Sequence, residues 1–114
     1  MTGPPNPRAC GKDEVELFIR QALREVSILM ERAFFEVGGT PAPGSSLDQA
    51  GLSDGASIVE DYLEHGEAGV ALEHLIYMIS EPQLAISSAT FHLIEQAAKL
   101  LGLPPGLLEE IRRL

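Results

Sequence analysis

From Val15 to Val37, apolar side chains return every three or four residues: Val15, Phe18, Ile19, Ala22, Val26, Leu29, Met30, Ala33 and Val37. That spacing gathers them on one side of an α-helix and leaves the other side polar, so the segment predicts one long amphipathic helix that needs partners for its stripe. Asp13 is the expected N-cap, with Glu16 completing a capping box. Gly38 and Gly39 are the expected stop. Residues 1–12, with their Pro and Gly, read as a flexible tail. GGTPAPGSSLDQAGLSDG, after the helix, reads as a flexible connection at about 38–53.

The later segments keep the helical period. A second helix starts near Ser53 or Asp54, or at Ser57 with Glu60 as its capping-box partner; its inner face is Ile58, Val59, Tyr62 and Leu63. Gly66 suits the left-handed residue that ends a helix, and Glu67 opens a third helix at once, so EHGE is a tight corner between antiparallel neighbours. The third helix, from about Glu67 to Ser80, is apolar around most of its circumference: Ala68, Val70, Ala71, Leu72, Leu75, Ile76, Met78 and Ile79. Pro82 is the expected stop. Ser87 caps a fourth helix that buries Phe91, Ile94, Ala97, Ala98 and Leu101 and ends at Gly102. Pro104 starts a short fifth with Leu107, Leu108, Ile111 and Leu114.

No segment alternates with period two, so no sheet is expected. At 114 residues there is room for one core and not two. The expectation is an all-α fold: a small bundle of about five helices, one long N-terminal helix followed by four shorter ones, in a single domain over 13–114. Aromatic residues are 5% of the chain with no Trp, so that core must be aliphatic.

Seventeen acids against eight bases give a formal net charge of −9. The imbalance is local. Between Arg32 and Lys99 there is no Lys or Arg, while Glu36, Asp48, Asp54, Glu60, Asp61, Glu64, Glu67, Glu73, Glu81 and Glu95 all fall there. Neutralising phosphates drives nucleic-acid affinity, so neither nucleic acid nor an anionic membrane is an expected partner. A basic protein is, because opposite fields speed encounter. Composition alone equally allows that the acids only keep the chain soluble. Cys10 stands alone and Pro4, Pro5 and Pro7 interrupt the N-terminus, so neither a disulfide nor a secretory signal is expected. No apolar run is long enough to span a membrane. The expected compartment is the cytoplasm.

The common catalytic constellations are missing: no G-x-S-x-G, no Walker-type loop, no G-x-G-x-x-G, no H-E-x-x-H and no cysteine pair. His65, His74 and His92 include no pair at i, i+4, so solvated histidines are expected before a metal site. Glu60 and Glu64 share an outward face, which suits a hydrated pair better than a general acid and base. No enzyme, metal or cofactor is expected.

The third helix carries one polar stripe, Glu73, Tyr77 and Glu81, spaced one turn apart. A Tyr between carboxylates supplies rigid contact area while the acids pair with Arg or Lys. Equally, Tyr77 packs its ring on a neighbouring helix and wets only its hydroxyl. With Glu60, Asp61, Glu64 and Glu67 across the EHGE corner, these residues are the candidate partner-binding set.

The acidic helix ending in LEHGE, the corner leading into ALEHL, the acid at Glu81 and the I-S start of the next helix together resemble the MafI-type immunity proteins of bacterial polymorphic toxin systems. The resemblance spans roughly Leu52 to Leu114 and leaves out the long first helix. It implies a small cytoplasmic helical protein that binds and neutralises a cognate toxin, often a nuclease, by covering a basic active site with an acidic face. Glu64, Glu67, Glu73 and Glu81 match acidic positions of that family. The competing reading is a helical interaction module or homodimeric scaffold with no toxin partner: Leu17, Ile28, Phe34 and Phe35 fall off the first helix's main stripe and could bury against a second copy.

Overall fold

The computed structural model describes residues 7–36, 55–109 and 111–113. Within them the fold is all-α. Helix α1 runs Pro7–Glu36, α2 Gly55–Glu64, α3 Ala68–Ser80 and α4 Ser88–Leu101. A 3-10 turn, Pro105–Leu108, supplies the fifth helical segment. The two-residue strands β1, Ala85–Ile86, and β2, Arg112–Arg113, pair in parallel, with Ala85 opposite Arg112 and Ile86 opposite Arg113. That ladder corrects the expectation of no sheet. Two residues are too few for any alternation to show.

Helix α1 begins earlier than its capping signal suggested. Pro7 opens it, so Asp13 and Glu16 lie inside the helix and form no capping box, and Cys10 is helical too. Proline suits the first helical position because the N–H it lacks would have had no helical acceptor there. The rest of the expected tail, Gly38, Gly39 and the whole of the 38–53 connection lie outside the described residues. So do Ser53 and Asp54 as starts of α2. Ser57 is interior to α2 and is no cap.

The apolar periodicity finds its core. From α1, Val15, Ile19, Ala22, Leu23, Val26 and Met30 are buried; Val59 and Leu63 join them from α2, and Ile94, Ala97 and Ala98 from α4. Helix α3 is central, touching α1, α2 and α4, and it buries Ala68, Ala71, Leu72, Leu75, Ile76, Met78 and Ile79. Val70, expected inside, is exposed, because it falls on the stripe shared with Glu73 and Tyr77. Gly55 of α2 is buried where a Cβ would stand 2.6 Å from Met78 Cε, so the absent side chain permits the close approach of α2 to α3.

Helix ends are closed by one device. At the end of α2, Gly66 N–H donates to Leu63 O (3.1 Å) and Glu67 N–H to Tyr62 O (2.8 Å). After α4, Gly102 and Leu103 do the same to Lys99 and Ala98, at 3.1 and 2.9 Å. Both glycines have positive φ, 74° and 72°, as this Schellman closure requires. Helix α3 closes identically through Gln83 (φ 55°): its N–H meets Ser80 O, and Leu84 N–H meets Ile79 O. Pro82 had been expected to end α3, but the left-handed turn one residue later reverses the chain.

Ser87 caps α4, its hydroxyl accepting from Thr90 N–H at 3.2 Å. The backbone N–H of Ser87 donates to Glu25 Oε2 of α1 at 2.9 Å. Burial raises the Glu25 pKa, but the Ser87 N–H and the side chains of Ser87 and Thr90 outweigh it, leaving the carboxyl below its ordinary value.

Candidate functional site

Because three helices surround α3, only a narrow strip of it reaches solvent: Val70, Glu73 and Tyr77 are exposed and Glu81 is half-buried. Glu73, Tyr77 and Glu81 line one groove of about 440 Å³, together with Ile76, Ser80, Gly106 and Leu107. One wall is therefore the acidic stripe of α3. The other is the 3-10 turn, delivered by a segment some twenty-five residues further along the chain. Ile76 and Leu107 give the groove apolar surface. At Gly106 nothing lies within 4 Å of where a Cβ would stand, so that wall is low and open. The Ser80 hydroxyl is occupied within its own helix, donating to Ile76 O at 2.8 Å.

Tyr77 stays part-exposed and meets a ring of its own helix. Its ring lies 6.0 Å from that of His74, tilted by 39°, and 38% of the residue stays exposed. His74 in turn meets Tyr62 of α2 edge-on, with ring centroids 6.5 Å apart. A row of rings thus runs from α2 to the groove. This corrects the expectation of a solvated His74: the side chain turns toward α2, its Nε2 is buried, and that atom has no hydrogen-bond partner among the described residues. Burial lowers its pKa.

The remaining candidates are not part of the groove. Glu60, Asp61 and Glu64 are exposed on α2, and Glu67 is exposed at the corner as the N-cap of α3. None of the four lines the groove. His65 sits among them with Nδ1 2.7 Å from Asp61 O and 3.6 Å from Asp61 Oδ1. The hydrogen bond to the Asp61 carbonyl, then the charge of the Asp61 carboxylate, raise its pKa, and Glu67 and Glu64 add to the effect. The seven residues therefore divide into a groove set of three and a corner set of four.

Among the described residues the only ion pairs are His65–Asp61 and His92–Glu95, so no Lys or Arg there cancels a carboxylate by contact. Arg113 instead stacks over Phe91, 4.5 Å from the ring centroid. No group of three or more His, Cys, Asp or Glu side chains among the described residues is placed to hold a metal ion. No helix among them is long and apolar enough to cross a membrane. Sequence reasoning located the α3 stripe but missed three things: the wall at Gly106 and Leu107, the burial of His74, and the role of Glu25. For the wall, only the Pro-Pro-Gly run signalled a turn, with nothing to say where it would dock. Comparison with protein-family models, with curated proteins and with solved structures finds no match to this chain.

Proposed function

We propose that this chain is a binding protein that holds a basic protein partner against the α3 groove, and that the partner is a bacterial toxin which the chain neutralises as an immunity protein. The observation that carries the reading is the groove itself, where a part-exposed Tyr77 stands between Glu73 and Glu81 over an apolar floor. An Arg or Lys side chain fits such a site on chemical grounds: its stem lies along Ile76 and Leu107 while its head meets the carboxylates. The lack of Lys and Arg from 33 to 98 supports a cationic partner, and the LEHGE–ALEHL resemblance supports a toxin. The reading sets the protein to work in the cytoplasm and gives it no catalytic role. The exposed corner carboxylates would steer the encounter.

The test is co-expression of this chain with the toxin domain encoded beside it, followed by calorimetric titration of the purified pair. Rescue of growth, tight binding and an association rate that falls steeply with salt are expected. Gly106→Trp, which adds bulk to the open wall, should abolish binding while leaving the helical signal intact. Undiminished binding by both Gly106→Trp and Tyr77→Ala would remove the groove from the mechanism; failure to rescue would remove the toxin. The competing scaffold reading draws on a different surface, the outer face of α1.

A further inference from the structure

The side of α1 turned away from the core carries apolar residues that the bundle does not use. Leu17, Ile28 and Phe35 are 52%, 50% and 85% exposed. Leu17 and Phe35 are separated by about five turns of 3.6 residues, so they lie on one line along the helix, with Ile28 between them. That line is opposite the buried Ile19, Val26 and Met30. Between Ile28 and Phe35 the surface dips into a groove of about 350 Å³, bounded on one edge by Glu31. Arg20 lies on the same edge as Glu31, about three turns earlier. Among the described residues neither is in an ion pair.

We propose that two copies of this chain associate through these faces, with the α1 helices antiparallel. Leu17 of each copy then seats in the Ile28–Phe35 groove of the other, and Arg20 of each lies beside Glu31 of the other. Two features select a second copy as the occupant. The first is self-complementarity. A two-fold axis near the middle of α1 lays Leu17 over Phe35 and, in the same register, brings Arg20 within one residue of Glu31. In an antiparallel pair each edge faces its own copy, so the charge contact forms twice. The second is net charge. A chain at −9 repels its copy over most of its surface, yet α1 sets five Lys or Arg, Arg20, Arg24 and Arg32 among them, against six acids and is close to neutral, while residues 33 to 98 carry no Lys or Arg. Helix α1 is where that repulsion is locally offset. This surface is separate from the α3 groove, so self-association and partner binding stand or fall independently.

Sedimentation equilibrium of the full chain tests the proposal. Twice the single-chain mass of 12.3 kDa is expected. Ile28→Arg should weaken association by about tenfold or more, with circular dichroism unchanged because the position is half-exposed. Arg20→Glu and Glu31→Arg should each weaken it too, and the double variant carrying both should restore it, since each pairing is then rebuilt with its signs reversed. A single-chain mass at about 100 µM, where even a Kd of 10 µM leaves most of the protein paired, overturns the proposal. So does a dimer indifferent to Ile28→Arg, or a double variant as weak as its two parents.

Discussion

The carboxylate of Glu25 accepts the backbone N–H of Ser87 at 2.9 Å, across a separation of 62 residues. In a local capping box the third helical residue would satisfy the cap residue's N–H. Here that residue is Thr90, whose own N–H is held by the Ser87 hydroxyl, and the acid comes from α1 instead. One bond thereby fixes where α4 starts and how it registers against the long helix.

Glu25→Ala should therefore cost about 1–2 kcal/mol at neutral pH, the scale of a hydrogen bond to a charged group. The pH dependence follows from the lowered pKa. The folded value lies below the ordinary 4.5, so the stabilisation is present above 4.5 and is lost as pH falls through the folded value. Glu25→Gln keeps an acceptor but cannot titrate, so its urea midpoint should show a flatter acid limb than the parent's. Equal slopes below pH 4.5 would show that Glu25 is not the group responsible.

His74 acts in the same direction but at higher pH. Its folded pKa is depressed by burial below 6.5, so the unfolded chain binds the proton more readily, and stability falls as pH drops from 6.5 toward the folded value. Replacing His74 by Phe keeps a ring between Tyr62 and Tyr77 and removes the unpartnered Nε2. We expect a gain of roughly 1 kcal/mol and loss of this pH limb. Thermal melts at pH 5.5 and 8 check both.

Gln83 stands in the left-handed region, φ 55°, in a closure that glycine fills at the other two helix ends. Gln83→Gly removes the Cβ clash of that conformation, against the smaller entropy cost of a freer unfolded chain. The expected net gain is about 0.5–1 kcal/mol, seen as a higher denaturant midpoint with unchanged slope.

Leu75 and Tyr77 would separate folding from the proposed recognition. Leu75 is fully buried at the centre of α3, and Leu75→Ala should cost about 2–5 kcal/mol of stability. Tyr77→Ala should cost less than half as much stability but about 2 kcal/mol or more of binding, roughly thirtyfold in Kd. Paired denaturation and titration curves give the comparison. A Tyr77 variant that binds normally would leave the groove without its anchor.

What could be read in the residues was local. Gly66, Ser87 and Gly102 act within one turn of their own position, and each does what its neighbours implied. The long apolar stripe of α1 likewise names its own buried side. The contacts that escaped join distant segments: Glu25 to Ser87, Ala85 to Arg112, Leu107 to the α3 stripe. Periodicity assigns a face to each helix but not the neighbour that face will meet. Asp13 shows the complementary failure, since a well-formed local signal was overridden by a helix that had already begun at Pro7. Of the candidate site, the Glu73–Tyr77–Glu81 spacing was legible because one helix carries all three. The division from Glu60, Asp61, Glu64 and Glu67 was not, because it depends on how α2 and α3 lie together.

The wall at Gly106 and Leu107 hangs from the short parallel ladder that ties Arg112 and Arg113 to Ala85 and Ile86, helped by Arg113 resting on Phe91. Cleavage between α4 and Pro105 would detach that wall while leaving α3 and its tyrosine in place. Glu73 and Glu81 would then stand on a bare ridge with no opposing lip, so a clipped chain distinguishes a groove from a stripe.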